Sequence, residues 1–332
     1  MPAHIVHVNR AAAHCHHVNR AAAQAPRTRP WATARQWAQR AFAILALAGL
    51  AACASVPGLP PVDDPRMAGL PPAAAVEEVP FFAQDDYYCG PAALAMTLAW
   101  SGLEVTQDDL VPVVYTPGRQ GTLQSDVLAG ARRYGHLAVA VDNLPDLLAE
   151  VAAGHPVLVF QNLGLRALPQ WHYAVVTGYD LETRAVRLHS GRTADLETRL
   201  STFAWTWARG GNWALVVLPP ERLAATAGER AALEAATALE RADEATAAAA
   251  AYGAILSRWP ASLPGWIGLG NAAYAAGDRA RAIAAFRTAT EHHPRAVAAW
   301  QNLAFVLAET GEAEAAAEAR ARAEALGAAA TS

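Results

Sequence analysis

Three hydrophobic patterns follow one another along the chain. Ala41 to Ala52 is an unbroken apolar run, too short to span a bilayer. From about residue 76 to 220, helical periods give way to short β-branched runs. Ala92 to Trp100 reads as a helix stopped by Gly102, Thr106 to Val114 as a short helix, Leu123 to Tyr134 as a helix ended at Gly135, and Leu144 to Ala153 as another. Strand signals lie at Val79 to Phe82, Leu137 to Val141, Pro156 to Phe160, Trp171 to Gly178, Ala185 to His189 and Asn212 to Val217, with a short helix near Ser201 to Ala208. Helices first and an antiparallel sheet afterwards predict the α+β class. Beyond Pro219-Pro220 the residues are mainly Ala, Glu and Arg, and only helical periods remain.

At 332 residues, 53% hydrophobic and 17% charged, the chain is long enough for two globular domains. A net charge of −4 with no basic stripe argues against nucleic acid as a partner. Arg27, Arg29, Arg35 and Arg40 precede the first apolar run, the layout of an export signal. Leu50-Ala51-Ala52-Cys53 resembles a bacterial lipobox, in which Cys53 is lipidated and becomes the mature N-terminus. Ala54, rather than Asp, follows it, which by the same resemblance implies the outer membrane. Residues 1–52 are therefore expected to be a leader. Residues 53–75, rich in Pro, Gly and Ala, are expected to be a tether that holds the next domain on the periplasmic side, with the lipid as the only membrane attachment. The cluster His14-Cys15-His16-His17 has zinc or copper ligand types but falls in the segment expected to be removed.

The chemistry concentrates at Gln84-Asp-Asp-Tyr-Tyr-Cys89-Gly90-Pro91, which runs directly into the first helix. A cysteine at a helix N-terminus meets free N–H groups and the positive end of the macrodipole, which predicts a thiol pKa below the ordinary value. Pro91 fits the first helical position, where no N–H is needed. His172, at the start of a strand, supplies a base that can pair with the thiolate and return a proton to a leaving amine. Gln84 and the Cys89 backbone N–H supply two donors for an oxyanion. Either Cys89 or His172 alone would read as an ordinary core residue; their occurrence with Gln84 and the Gly-Pro helix start points to a thiol hydrolase.

Gln84 and Cys89-Gly-Pro-Ala-Ala-Leu94, taken with His172-Tyr-Ala-Val-Val-Thr-Gly178, resemble the papain-fold double-glycine leader peptidases of the bacteriocin-processing type. The spacing of 83 residues from Cys89 to His172 resembles the compact bacterial branch. The resemblance implies a papain-like cysteine peptidase domain over residues 76–220, with Cys89, His172 and Gln84 as catalytic residues and no metal or organic cofactor. These peptidases usually orient the histidine with an Asp or Asn on the next strand. This chain has Leu188-His-Ser-Gly191 there, so the expected partner is Ser190, with Asp180 at the hairpin turn as the substitute.

In the last third, Trp266, Leu269, Gly270, Gly277, Ala282, Phe286, Ala289 and Pro294 follow the tetratricopeptide spacing. Trp300, Leu303, Ala304, Gly311, Ala316 and Ala323 repeat that register 34 residues later. Ala248, Tyr252, Ile255 and Pro260 mark an earlier, degenerate copy. The expectation is an all-α solenoid of about three repeats over residues 226–328 that recruits a protein partner. Bacterial lipoproteins that join such a peptidase domain to such repeats resemble this chain along nearly all its mature length. The expected function is a membrane-anchored periplasmic cysteine peptidase acting on a peptide or protein. The alternatives are a non-catalytic lipoprotein adaptor, or an amide hydrolase acting on peptidoglycan or a small molecule.

Overall fold

The structure is a computed structural model that describes residues 64–84 and 87–331. The expected leader, Cys53 and the first part of the expected tether lie outside the described residues. Among the described residues, no helix is long and apolar enough to cross a membrane.

The first half is built on a seven-stranded antiparallel sheet: β1 (Ala73–Ala75), β2 (Leu137–Val141), β3 (Val157–Asn162), β4 (Trp171–Asp180), β5 (Ala185–Ser190), β6 (Thr193–Arg199) and β7 (Ala214–Leu218). The strand order is β2-β7-β3-β4-β5-β6, with β1 pairing the far half of β4. On one face pack α1 (Cys89–Trp100), α2 (Gln107–Val114) and α3 (Gln124–Arg133), through Leu94, Met96, Leu98, Leu110 and Val127 against Leu158, Tyr173, Val175 and Leu215. The other face carries α4 (Leu144–Ala152) and α5 (Leu200–Arg209), through Leu147, Leu148, Phe203 and Trp207 against Val157, Val159, Ala174 and Val176. Inward residues of one strand thus serve two cores by alternation, as a sheet covered on both faces requires.

Local chemistry explains the helix ends. Every residue from Gly90 to Leu98 is buried, so α1 is apolar all round and threads the middle of its layer. It ends where Gly102 takes a positive φ of 98°, and the Leu103 N–H donates back to Leu98 O. The Thr106 N–H and hydroxyl both donate to Asp109, at 2.9 and 2.7 Å, which fixes the start of α2.

Three segments differ from the expected pattern. The end of the expected tether is ordered onto the sheet: Met67 is buried, and Pro71 and Pro72 serve as acceptors, of the Tyr179 hydroxyl and the Leu181 N–H. Prolines block a strand interior because they lack a donor; here only their carbonyls are used, and β1 begins at the next residue. Val79 to Phe82 forms no strand; Phe81 instead packs edge-on against the His189 ring, at 5.4 Å. Strand β6 carried no sequence signal because it is an edge strand with nearly all side chains exposed, so it has no apolar alternation to read.

The last third is all helical: α6 (Glu229–Glu240), α7 (Ala245–Arg258), α8 (Leu263–Ala275), α9 (Arg279–His292), α10 (Val297–Glu309) and α11 (Ala313–Thr331). The repeated residues are the packing residues. A Cβ on Gly270 of α8 would lie 2.4 Å from the Phe286 ring of α9, so glycine and phenylalanine recur together because one makes room for the other. The Trp266 and Trp300 indoles donate to Pro260 O and Pro294 O, equivalent bonds one repeat apart. The core on the α4 and α5 face continues without a break into Ala232, Ala236, Tyr252, Ile255 and Leu269 of α6 to α8. At that junction Glu150, fully buried, accepts from the Thr226 N–H at 2.7 Å, the Thr226 hydroxyl at 2.6 Å and the Ala225 N–H at 3.1 Å, and pairs with His155 Nδ1 at 2.7 Å.

Candidate active site

Cys89 is the first residue of α1, and Pro91 stands in the first turn rather than at its first position. Tyr87, two residues earlier, has a φ of 73°, a conformation that a bulky residue adopts only when its surroundings impose it. The Tyr88 ring is held edge-on against Tyr115, at 5.1 Å. On the other side of the helix start, Gly90 lies so close to Thr122 that a Cβ there would sit 2.5 Å from its side chain. The Thr122 carbonyl accepts from the Tyr173 hydroxyl at 3.2 Å. The two ends of the single loop between α2 and α3 therefore clamp the residues before and after Cys89. Thr122 was not singled out from the sequence, because a loop threonine has no distinguishing pattern, and Tyr173 stood there only as part of the strand motif after His172.

The sulfur faces three backbone N–H groups, those of Tyr173, Gly90 and Cys89 itself. Tyr173 directly follows His172 on β4, so nucleophile and base flank one peptide unit. His172 Nε2 and Ser190 Oγ are hydrogen-bonded at 2.9 Å. The pairing of Ala174 with Ser190 puts Ser190 on the strand beside the histidine, one pleat along. Asp180 lies eight residues further down β4, where it accepts from the Thr183 N–H at 2.9 Å; it is not the histidine's partner. Using Nε2 for Ser190 leaves Nδ1 for the substrate side.

Gln84 reaches the same end of the sheet. Its N–H donates to Gly191 O at 3.0 Å, the residue after Ser190. Its side chain is buried, and neither the amide nitrogen nor the amide oxygen has a hydrogen-bond partner among the described residues. A buried amide without partners is costly.

The electrostatics differ from expectation. Burial pushes the Cys89 thiol above its ordinary pKa, although the three N–H groups oppose this. Burial alone lowers His172 to about 4. Cys89 and His172 make no direct hydrogen bond. Desolvation thus disfavours both charges of the expected ion pair. The buried Tyr173 hydroxyl is also pushed up, first by burial and then by the neighbouring Cys89 and Asp126.

Residues 76–213 match the model of the Peptidase_C39 like family. The chain carries a C39-peptidase-like domain. Residues 263–306 match the tetratricopeptide repeat, and the helical region that contains them is of that kind. Among solved structures, the chain is similar to a putative C39-like peptidase from Bacillus anthracis, at 20% identity and a TM-score of 0.38, covering 44% of this chain and 97% of that one. It is similar to the peptidase domain of Streptococcus ComA, a bi-functional ABC transporter involved in a quorum sensing pathway, at 20% identity and a TM-score of 0.36, covering 43% and 99%. The MamA protein of Desulfovibrio magneticus RS-1 is also similar, at 20% identity and a TM-score of 0.30, covering 31% of this chain and 58% of that one. No curated protein matches.

Proposed function

We propose that the protein is a cysteine peptidase, anchored through a lipid on Cys53 to the periplasmic face of the outer membrane, whose repeats recruit a protein partner to its C39-like domain. The observation that carries the catalytic reading is the convergence of Gln84, Cys89 and His172 on one end of the sheet, with the Gln84 amide buried and unpartnered. In the proposed reaction, Cys89 Sγ bonds to the scissile carbonyl carbon and its proton passes to neutral His172. The carbonyl oxygen becomes an oxyanion held by Gln84 Nε2 and the Cys89 N–H. His172 then protonates the amine as the C–N bond breaks. Water, deprotonated by His172, then attacks the thioester carbonyl; the C–S bond breaks, the acid leaves, and the proton on His172 returns to Cys89 Sγ. Ser190 holds the imidazole orientation throughout.

A second reading, a lipoprotein adaptor without turnover, is favoured by one observation: a serine stands where a carboxylate would stabilise the imidazolium. Incubation of the purified full chain with peptide libraries and with muropeptides, beside its Cys89→Ala and Gln84→Ala variants, separates the readings. The expected outcome is peptide cleavage that Cys89→Ala abolishes and Gln84→Ala slows by about 10²–10³-fold. Cleavage of muropeptides alone would replace the peptidase with an amide hydrolase. No product from either pool would leave the adaptor. The anchor is tested separately by the mass of Cys53 in membrane-purified protein, where a free thiol or an intact residue 1 would overturn it.

A further inference from the structure

The loop between β3 and β4 is a rigid hairpin tip faced with leucines. Leu163 N–H donates to Gln170 O at 2.8 Å, and Leu165 and Leu168 exchange both backbone bonds, at 3.1 and 3.2 Å, around a turn at Arg166-Ala167. Asn162 Oδ1 accepts from the Gly164 and Gln170 N–H groups, both at 3.0 Å, so most of the loop's donors are satisfied internally. Yet Leu163, Leu165 and Leu168 are 43%, 62% and 75% exposed, and Trp171 at the base is 53% exposed, stacked on Phe160 at 5.2 Å. Beside it, Trp205 of α5 is 43% exposed and covered by the Arg209 guanidinium at 3.6 Å, which also donates to Asn162 O. Trp171 and Trp205 thus both face outward around the hairpin.

We infer that this hairpin is a membrane-docking element that inserts Leu163, Leu165 and Leu168 into the headgroup and acyl boundary of a lipid bilayer. Three features favour lipid over a peptide. A hairpin tip is convex, and a convex apolar end fits a yielding surface, whereas a peptide side chain needs a recess. Five of its seven backbone N–H groups are paired within the loop, which lowers the cost of entering an apolar medium. Aromatic rings ring its base and arginines lie at the turn and over Trp205, the arrangement that suits anionic headgroups. The inference rests on the reading of Cys53 as an anchor, because the eleven steps from Cys53 to Asp64 keep Asp64 within about 40 Å of the lipid. Trp171 directly precedes His172, so insertion would set the active site at the bilayer surface and select substrates displayed there.

The test uses the full chain purified from membranes and returned to phosphatidylethanolamine and phosphatidylglycerol vesicles, with and without brominated acyl chains. Bromine quenches only tryptophans that reach the acyl boundary. The expected result is a quenched component that is missing in Trp171→Phe and lost in the Leu165→Glu/Leu168→Glu variant, while that variant still floats with the vesicles. Equal native fluorescence in brominated and ordinary vesicles, in protein whose Cys53 carries lipid, would overturn the docking element and leave the anchor standing. If Cys53 is unmodified, the anchor reading fails, and adding the same protein to preformed brominated vesicles still decides the hairpin: Trp171 quenching upholds it and no quenching overturns it. Protection of Trp171 by an added peptide but not by vesicles would assign the tip to substrate and overturn it as well.

Discussion

Whether the thiol of Cys89 is charged before substrate arrives depends on two opposed burial effects. Burial raises the thiol and lowers the imidazole to about 4, so between about pH 5 and 8 both groups are neutral. The proton must then move as the carbon–sulfur bond forms, not before. Alkylation of Cys89 in the full chain is therefore expected to be slow at pH 7 and to rise steeply only above the ~8.5 of an ordinary thiol. Fast labelling that persists to acid pH, and is lost in His172→Ala, would show an ion pair and refute this. Ser190→Asp gives the opposite prediction. A carboxylate beside Nε2 favours imidazolium, raises His172 and thereby holds the thiolate, so labelling at pH 7 should quicken about tenfold or more. A profile unchanged from the native protein would mean that the histidine's partner does not set the pair's charge.

At the level of elements, the position of the nucleophile depends on how closely α1 approaches the Thr122 loop. Gly90→Ala would drive a methyl group against the Thr122 side chain and push the helix start away from it. The expected cost is about 1–3 kcal/mol of stability with a larger loss of activity than of fold, read from chemical denaturation beside turnover. Full activity would show that the clamp has slack. Much of this element was legible in advance: the apolar run from Ala92 and the Gly-Pro start located α1, and the strand signals located β4, because burial on both faces leaves long hydrophobic runs. The 34-residue period located the repeats for the related reason that Gly270 must make room for Phe286. What could not be read was set by tertiary context. Strand β1 depends on a partner more than 100 residues away, β6 has no buried face, and the thiol's raised pKa comes from surrounding layers that no local motif contains.

On the scale of the whole molecule, the repeats are a continuation of the peptidase-like domain's core, and Glu150 is the polar fastening of that junction. Burial alone would raise its carboxyl, but the hydrogen bonds from His155, Thr226 and Ala225 outweigh burial and hold it below the ordinary value. A carboxylate depressed in the folded state contributes stability that is fully present above its unfolded value, ~4.3, and is lost as pH falls through its folded value. In Glu150→Gln, a side-chain amide would turn donors toward the N–H groups of Ala225 and Thr226, leaving buried groups unpaired. The expected loss at pH 7 is about 2–4 kcal/mol, or roughly 5–10 °C in Tm. Because one core spans the sheet face and α6 to α8, the native chain should melt in a single transition at pH 7, and the variant should separate into two. Thermal melts of both proteins from pH 7 to pH 3 check the sign: the gap between them must begin to narrow as pH falls through the unfolded carboxyl's ~4.3 and go on narrowing towards the lower folded value of Glu150. A gap that stays constant to pH 3, or two native transitions at pH 7, would show that the repeats hold their place without this carboxylate.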